Sequence, residues 1–324
     1  MSCRPSSLRV PNTALAVIVE LSRRLRDLLL HALHKTRTPQ SARVLTSACR
    51  ASRRFGAGPA LLGDIQGERA KTRVASRREH FDSMDDVGDF HSNHYLRLNQ
   101  RRLEHLSTLG LPLTGRTVLE LGAGIGDLSP FFLDRDCEVT SIDARPENVD
   151  RIRSNIAAYY AFYPSSGRPE KHRVRLFDLE KGDGAGLGTF DVVHCYGVLY
   201  HVADPARMIQ LMSETCLHLC LVETCVSPGR QSAIHPTRED ATAPSQAVHG
   251  LGCRPTRTWV FDALRSVFRH VYVPIAQPNH EEFPIDWTGT NSGPILMRAM
   301  FVASREPLDN LNLIGALPDR QTRC

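Results

Sequence analysis

One stretch narrows the fold more than any other: Val118-Leu-Glu-Leu-Gly-Ala-Gly-Ile-Gly126. An apolar run carrying one acid, Glu120, breaks into glycines at 122, 124 and 126. Glycines at this density serve a place where a strand turns sharply into a helix and the backbone must approach a ligand with no Cβ in the way. The helix beyond opens with unpaired N–H groups. The dinucleotide-binding spacing is G-x-G-x-x-G, and Asp127 stands where its third glycine belongs, which disfavours an oxidoreductase. No Arg or Lys lies within the loop, so it is not built to neutralise a phosphate.

Around this motif, strands and helices alternate. The hydrophobic pattern predicts strands over 116–121, 138–142, 174–177, 190–195 and 217–224, with helices over 127–135, 146–162 and 205–216 between them. Pro146 opens the second of these helices, lined by Val149, Ile152, Ile156, Tyr159 and Tyr163. Strands joined through helices of this length mean crossovers and a parallel sheet. Residues 92–109 read as a helix before the first strand. Residues 227–255, with Pro228, Pro236 and Pro244, read as an inserted loop. A helix over 258–268 and strands over 271–274 and 296–303 complete the pattern. The organisation expected is a basic arm over 1–80 with one amphipathic helix over 13–34, a domain over 81–305, and a tail over 306–324.

A second carboxylate ends the next strand, Glu138-Val-Thr-Ser-Ile-Asp143, 21 positions after Gly122. At a neighbouring strand's C-terminal end it can accept ribose hydroxyls, although it can also cap the turn before Pro146. A third acid follows in Phe177-Asp178-Leu179, and Phe190-Asp-Val-Val-His-Cys-Tyr-Gly-Val-Leu-Tyr-His201 precedes Ala203-Asp-Pro205. Together these elements resemble the class I S-adenosylmethionine-dependent methyltransferases, over roughly residues 91–304. The resemblance implies a doubly wound, Rossmann-like, seven-stranded and mostly parallel α/β sheet closed by an antiparallel last strand, here 296–303. It implies S-adenosyl-L-methionine as cofactor. Glu120, Gly122, Ala123, Gly124 and Gly126 would hold its amino-acid end, Asp143 and Ala144 its ribose, and Asp178 and Leu179 its adenine. Cys195 would stand at the end of the fourth strand beside it. The G-V-L-Y-H and D-P combination is similar to small-molecule and ubiquinone-type branches, and also to enzymes that modify transfer RNA.

Methyl transfer is an in-line displacement, so the protein positions its reactants and, for a weak nucleophile, removes a proton. His201 is the first candidate base, since imidazole titrates near neutrality; a structural histidine bracing the loop is the alternative. The second is His280, within Gln277-Pro-Asn-His-Glu-Glu-Phe-Pro-Ile-Asp-Trp287, a polar-dense loop expected at the same rim. The expectation is that this loop and 196–204 jointly form the acceptor site. Contiguous His280, Glu281 and Glu282 cannot all point at one ion, so no metal is expected. His235 and His249 lie in the insert, where a lid would form.

The net charge of +5 is uneven. Residues 1–63 carry ten Arg and Lys35 against Glu20 and Asp27, leaving the remainder mildly acidic. A basic arm suits an anionic partner, nucleic acid included, or a targeting segment. Nucleic acid is not favoured, because Phe55 is the sole aromatic residue before Phe81 and stacking platforms are missing. Nine cysteines without C-x-x-C spacing argue against a disulfide framework or structural zinc, and for a reducing, cytoplasmic compartment. No apolar run reaches the length of a membrane span. A small-molecule acceptor is the favoured reading; an RNA-modifying methyltransferase and a catalytically silent binding protein of the same fold are the alternatives.

Overall fold

The structure is a computed structural model that describes residues 88–163, 169–289 and 296–324. The expected arm and its helix over 13–34 lie outside the described residues.

The chain enters through α1 (Asn93–Thr108), capped by the Ser92 hydroxyl, which accepts the Tyr95 N–H at 3.2 Å. Then follow β1 (Thr117–Leu121), α2 (Ser129–Leu133), β2 (Glu138–Asp143), α3 (Pro146–Phe162), β3 (His172–Leu176), β4 (Phe190–Tyr196), α4 (Pro205–Thr215) and β5 (Cys216–Val226). Asp204 caps α4 and Pro205 opens it, a pairing that sets φ and satisfies an orphan N–H together. Beyond lie β6 (Ile234–Arg238), β7 (Leu251–Pro255), α5 (Arg257–Val267), β8 (His270–Pro274), β9 (Ala276–Gln277), β10 (Met297–Ser304), β11 (Leu313–Ile314) and β12 (Thr322–Arg323).

The main sheet runs β11-β8-β10-β5-β4-β1-β2-β3. The pairs β3–β2, β2–β1, β1–β4 and β4–β5 are parallel, and β10 inserts antiparallel between β5 and β8. The order reverses at β1/β4, the switch point where doubly wound sheets open a crevice at the strands' C-terminal ends. Residues alternate between faces. Leu119, Val193, Cys195, Cys220 and Val222 pack with Met208, Met212, Val260 and Leu264 of α4 and α5. Val118, Val192, Tyr196, Leu219 and Leu221 pack with Leu98, Leu106, Ile152 and Ile156 of α1 and α3. A sheet buried on both sides needs this double apolar code.

Three expectations change. The helix predicted over 127–135 contracts to α2, because the turn leaving Gly126 extends through Leu128. The insert is not wholly a loop: β6 and β7 form an antiparallel ribbon. Pro236 hides it from a propensity reading, yet a two-stranded ribbon tolerates a missing N–H. The tail adds β11 as an eighth strand and pairs β12 with β9, pieces too short to leave a period in the sequence.

Candidate active site

At the end of β1 the chain turns through Gly122 (φ 55°) and Gly124 (φ 59°), both left-handed. A Cβ at 122 would lie 2.5 Å from Val198 Cγ2, and one at 124 would lie 3.0 Å from Phe90 Cε1. At 122 glycine is therefore required twice over, by conformation and by space; at 124 conformation makes the main demand, and the Phe90 ring would have to give by a few tenths of an ångström. The Ala123 N–H donates to Ile142 O at 2.9 Å, tying the loop to β2. Gly126 serves the packing behind the turn. A Cβ there would stand 3.2 Å from Ile152 Cγ2, so its absence lets α3 close on the loop.

These turns border a cleft with about 980 Å³ of empty volume, open to solvent. Glu120, Gly122, Ala123, Gly124, Asp143, Ala144, Asp178, Leu179 and His201 all line it. Gly126 and Cys195 do not; Cys195 is fully buried in the core, where burial pushes its thiol up to about 12.

Asp143 accepts the Gly124 N–H at 2.9 Å on Oδ2, and the Arg145 N–H at 3.0 Å and Asn148 Nδ2 at 3.1 Å on Oδ1. Burial nonetheless raises its pKa, the three donors acting against it. A carboxylate offers about four lone-pair sites, so roughly one remains for a ligand. Glu120, 2% exposed, is more fully engaged: its Oε2 accepts Ser129 Oγ at 2.5 Å and Ser141 Oγ at 2.7 Å. His194 Nδ1 stands 3.7 Å from Oε1. Burial opposes ionisation of Glu120, but His194 and the two hydroxyls outweigh it and hold the carboxyl below its usual range.

Asp127, read in the sequence only as a missing glycine, also lines the cleft. The hydrogen bond it accepts from Asn99 Nδ2 is long, at 3.5 Å, and burial pushes its pKa up to about 6, with Glu120 adding to the rise. Asp178 is paired on Oδ2 with His249 Nε2 at 2.9 Å, which, with the Glu180 N–H and Lys181, holds its carboxyl low against burial.

The insert roofs the cleft with residues 244–248. Arg145 Nη2 donates to Ala241 O at 2.9 Å and Asn148 Nδ2 to Pro244 O at 3.3 Å. Glu239, also in the insert, has its side chain 2% exposed and bonds His201 Nδ1. No periodicity in the sequence marks Glu239, since its partner lies 38 positions away.

The expectation of a joint acceptor rim is corrected. Loop 277–287 does not line the cleft. His280 is 2% exposed, packed edge-on against His94 at 5.2 Å, and its Nδ1 accepts the Glu282 N–H. Glu281 pairs with Arg97 at both carboxylate oxygens, and Glu282 bonds His94 Nε2 at 2.7 Å and Arg298 Nε. His94, His280 and Glu281 present ligand-type atoms within 4.8 Å of one another; Arg97 takes both Glu281 oxygens and the Glu282 N–H takes His280 Nδ1, while His280 Nε2 is buried without a hydrogen-bond partner. The polar density of the loop belongs to a charged seam that continues inward through Arg298 and Glu223 to Arg102.

A doubly wound sheet with a Cβ-free glycine turn and acids at the ends of β1 and β2 defines a protein that binds an adenosine-type cofactor at its switch point. The pattern of the methyltransferase domain family matches residues 91–255. The chain belongs to this family, the class I S-adenosylmethionine-dependent methyltransferases. It is similar to ubiquinone biosynthesis O-methyltransferases of Psychrobacter arcticus, 33% identical over 106 residues, and of Xanthomonas euvesicatoria pv. vesicatoria, 36% identical over 113 residues. These stretches span 33% and 35% of this chain, and 38% and 43% of those proteins, less than half of either relative. Among solved structures, the N-terminal domain of EvdMO1 in the presence of SAH and D-fucose shares the fold at a TM-score of 0.50 and 19% identity, covering 74% of this chain and 99% of that one.

Proposed function

We propose that this protein transfers a methyl group from S-adenosyl-L-methionine to an oxygen nucleophile on a small-molecule acceptor. The observation that carries the reading is the glycine turn, which has no room for a Cβ at 122 and is joined through the Gly124 N–H to Asp143. Asp143 has acceptor capacity for a ribose hydroxyl, Asp178 for the adenine amino group with Leu179 beside the ring, and Ala144 borders the ribose. Gly126 and Cys195 support this wall from behind. Glu120 and Asp127 put negative charge where the cofactor's ammonium group would lie. When bound, the cofactor supplies an electrophilic methyl carbon on a sulfonium. His201, at the cleft wall, takes the acceptor's proton.

The small-molecule acceptor and the oxygen nucleophile are favoured by the kind of relative the chain resembles. Among the described residues no helix is long and apolar enough to cross a membrane. Six of the described cysteines are buried and unpaired, which fits a reducing, cytoplasmic setting.

Two measurements test the proposal. Titration calorimetry with S-adenosylhomocysteine should show one site per chain. A cell extract incubated with the protein and methyl-labelled cofactor should yield one labelled small molecule by mass spectrometry. Label found only in RNA would replace the acceptor class, and no binding of S-adenosylhomocysteine would remove the activity.

A further inference from the structure

We propose that Glu239, contributed by the insert, is a positioning residue that fixes His201 with its proton on Nδ1 and a bare Nε2 at the cleft. This inference rests on the reading of His201 as the base and adds to it a second residue, on an element that the sheet's alternation does not predict.

The argument begins with charge. Glu239 lies just past β6, and its side chain is nearly inaccessible. A carboxylate so placed needs donors. It has three: Arg254 Nη1 of β7 at 3.1 Å on Oε1, and the Ala247 N–H at 2.8 Å and His201 Nδ1 on Oε2. Burial works against ionisation of Glu239, but these contacts prevail and hold its pKa below the usual carboxylate value. An ionised carboxylate only accepts, so the shared proton belongs to Nδ1. A neutral imidazole protonated at Nδ1 carries its lone pair on Nε2.

The remaining neighbours keep His201 neutral. Burial lowers its pKa most, Glu239 opposes this, and the guanidinium groups of Arg254 and Arg298 add to the lowering. Tyr200, whose ring centroid lies 4.0 Å from that of His201, has its own hydroxyl pushed well up by burial and is uncharged. The imidazole lines the cleft and is 15% exposed. The side chain thus has one nitrogen anchored and the other available, the arrangement of an oriented general base.

In the step this serves, the acceptor's O–H proton passes to His201 Nε2. The acceptor oxygen's electron pair forms the bond to the methyl carbon, and the pair of the broken C–S bond returns to sulfur, leaving a neutral thioether. The imidazolium so formed is stabilised by Glu239, which stays ionised throughout. Glu239 belongs to the insert, which also supplies the roof residues 244–248, and His201 to the loop after β4, so the base is oriented by a separate element of the chain.

The test uses the full chain with nitrogen-15 histidine, saturated with S-adenosylhomocysteine at pH 7.5, and a His201→Gln variant to assign the signals. Long-range proton–nitrogen correlation should show His201 neutral, protonated on Nδ1 and bare on Nε2. In Glu239→Gln the amide can donate to Nδ1, so a substantial fraction should move to the opposite tautomer. A wild-type His201 protonated on Nε2, or an unchanged pattern in Glu239→Gln, overturns the proposal. The wild-type spectrum needs no variant to fold.

Kinetics with the acceptor identified by methyl labelling separate positioning from a latch. Glu239→Gln should lower kcat by tens-fold with the acceptor KM and the S-adenosylhomocysteine Kd within a factor of three, and Glu239→Asp should recover part of kcat. A variant that changes only the cofactor Kd would make Glu239 a latch and nothing more, and would overturn the proposal. If His201→Gln leaves kcat intact while the expected tautomer is seen, the failure lies in the reading of His201 as base, not in the pairing.

Discussion

The backbone N–H of Gly124 donates to Asp143 Oδ2 at 2.9 Å, so the acid that ends β2 also clamps the turn that ends β1. Asp143→Ala should therefore have two effects. Affinity for S-adenosylhomocysteine should fall by about 1.5–3 kcal/mol as charge-assisted hydrogen bonds are lost. The ligand-free melting temperature should fall too, because Gly124, Arg145 and Asn148 lose their acceptor. Asp143→Asn keeps the shape and should retain more of the stability than of the affinity. Calorimetric titration and thermal melts read the two effects apart, and unchanged affinity in Asp143→Ala would take this residue out of the site.

Asp127 should show the opposite pairing of stability and binding. Its folded pKa, about 6, lies above the ordinary value of 3.8. The ionised form is thus disfavoured by the fold: the contribution of Asp127 is most favourable below about pH 4 and is lost as pH rises through 6. Asp127→Asn should therefore stabilise the ligand-free protein at pH 8, by about 1–2 kcal/mol. The same change should weaken S-adenosylhomocysteine several-fold, since a cationic amino group loses its partner. In the wild type, affinity should decline between pH 7 and 5 as Asp127 takes up a proton. 5′-Methylthioadenosine, which lacks the amino-acid end, should be indifferent to both changes. Equal weakening of the two ligands would show a general disturbance of the cleft instead.

The seam beneath the cleft makes a separate prediction. Glu223 is fully buried and accepts Arg102 Nη2 at 2.6 Å and Arg298 Nη1 at 3.0 Å, joining α1, β5 and β10. Its removal leaves two buried guanidinium groups short of a counter-charge. Glu223→Ala should cost about 3–5 kcal/mol in denaturant melts. The loss should be nearly independent of added salt, because buried charges are poorly screened. A loss under about 1 kcal/mol would mean that Glu282 alone neutralises Arg298.

The sheet was legible in the sequence wherever a strand is buried on both faces. Val118, Leu119 and Leu121 form an apolar run interrupted only by Glu120, and the crossover helices carry their own starts in Pro146 and Asp204-Pro205. The glycine-turn side of the cleft was legible because its parts are local: glycines two apart, and acids at the ends of consecutive strands. The rest was not. Glu239 and His249 take their roles from partners 38 and 71 positions away. His280 misled for the same reason: density in sequence looked like a rim loop, whereas the fold spends those charges on Arg97, His94 and Arg298. The ribbon of β6 and β7 was hidden by its prolines, and β11 by its length.

Gly122 and Val198 allow the close approach at the glycine turn to be tested as a pair. Two penalties attach to Gly122→Ala. One is conformational: φ of 55° costs a non-glycine residue about 1 kcal/mol. The other is steric, because the new methyl would stand 2.5 Å from Val198 Cγ2 and 2.9 Å from Cγ1. Val198→Ala removes both of those atoms and opens space in the cleft wall, at a cost of its own. The double variant should therefore be more stable than the sum of the single losses predicts, with a coupling of about 1 kcal/mol, while the conformational penalty stays. Affinity for S-adenosylhomocysteine should fall at least tenfold in Gly122→Ala and recover only partly in the double variant, because the added methyl still changes the turn that cradles the ligand. Chemical denaturation of the four proteins in the cycle, with calorimetric titration of each, measures both quantities. Strict additivity in stability would mean that the loop shifts away from Val198, and the close packing would then not be what excludes a side chain at 122.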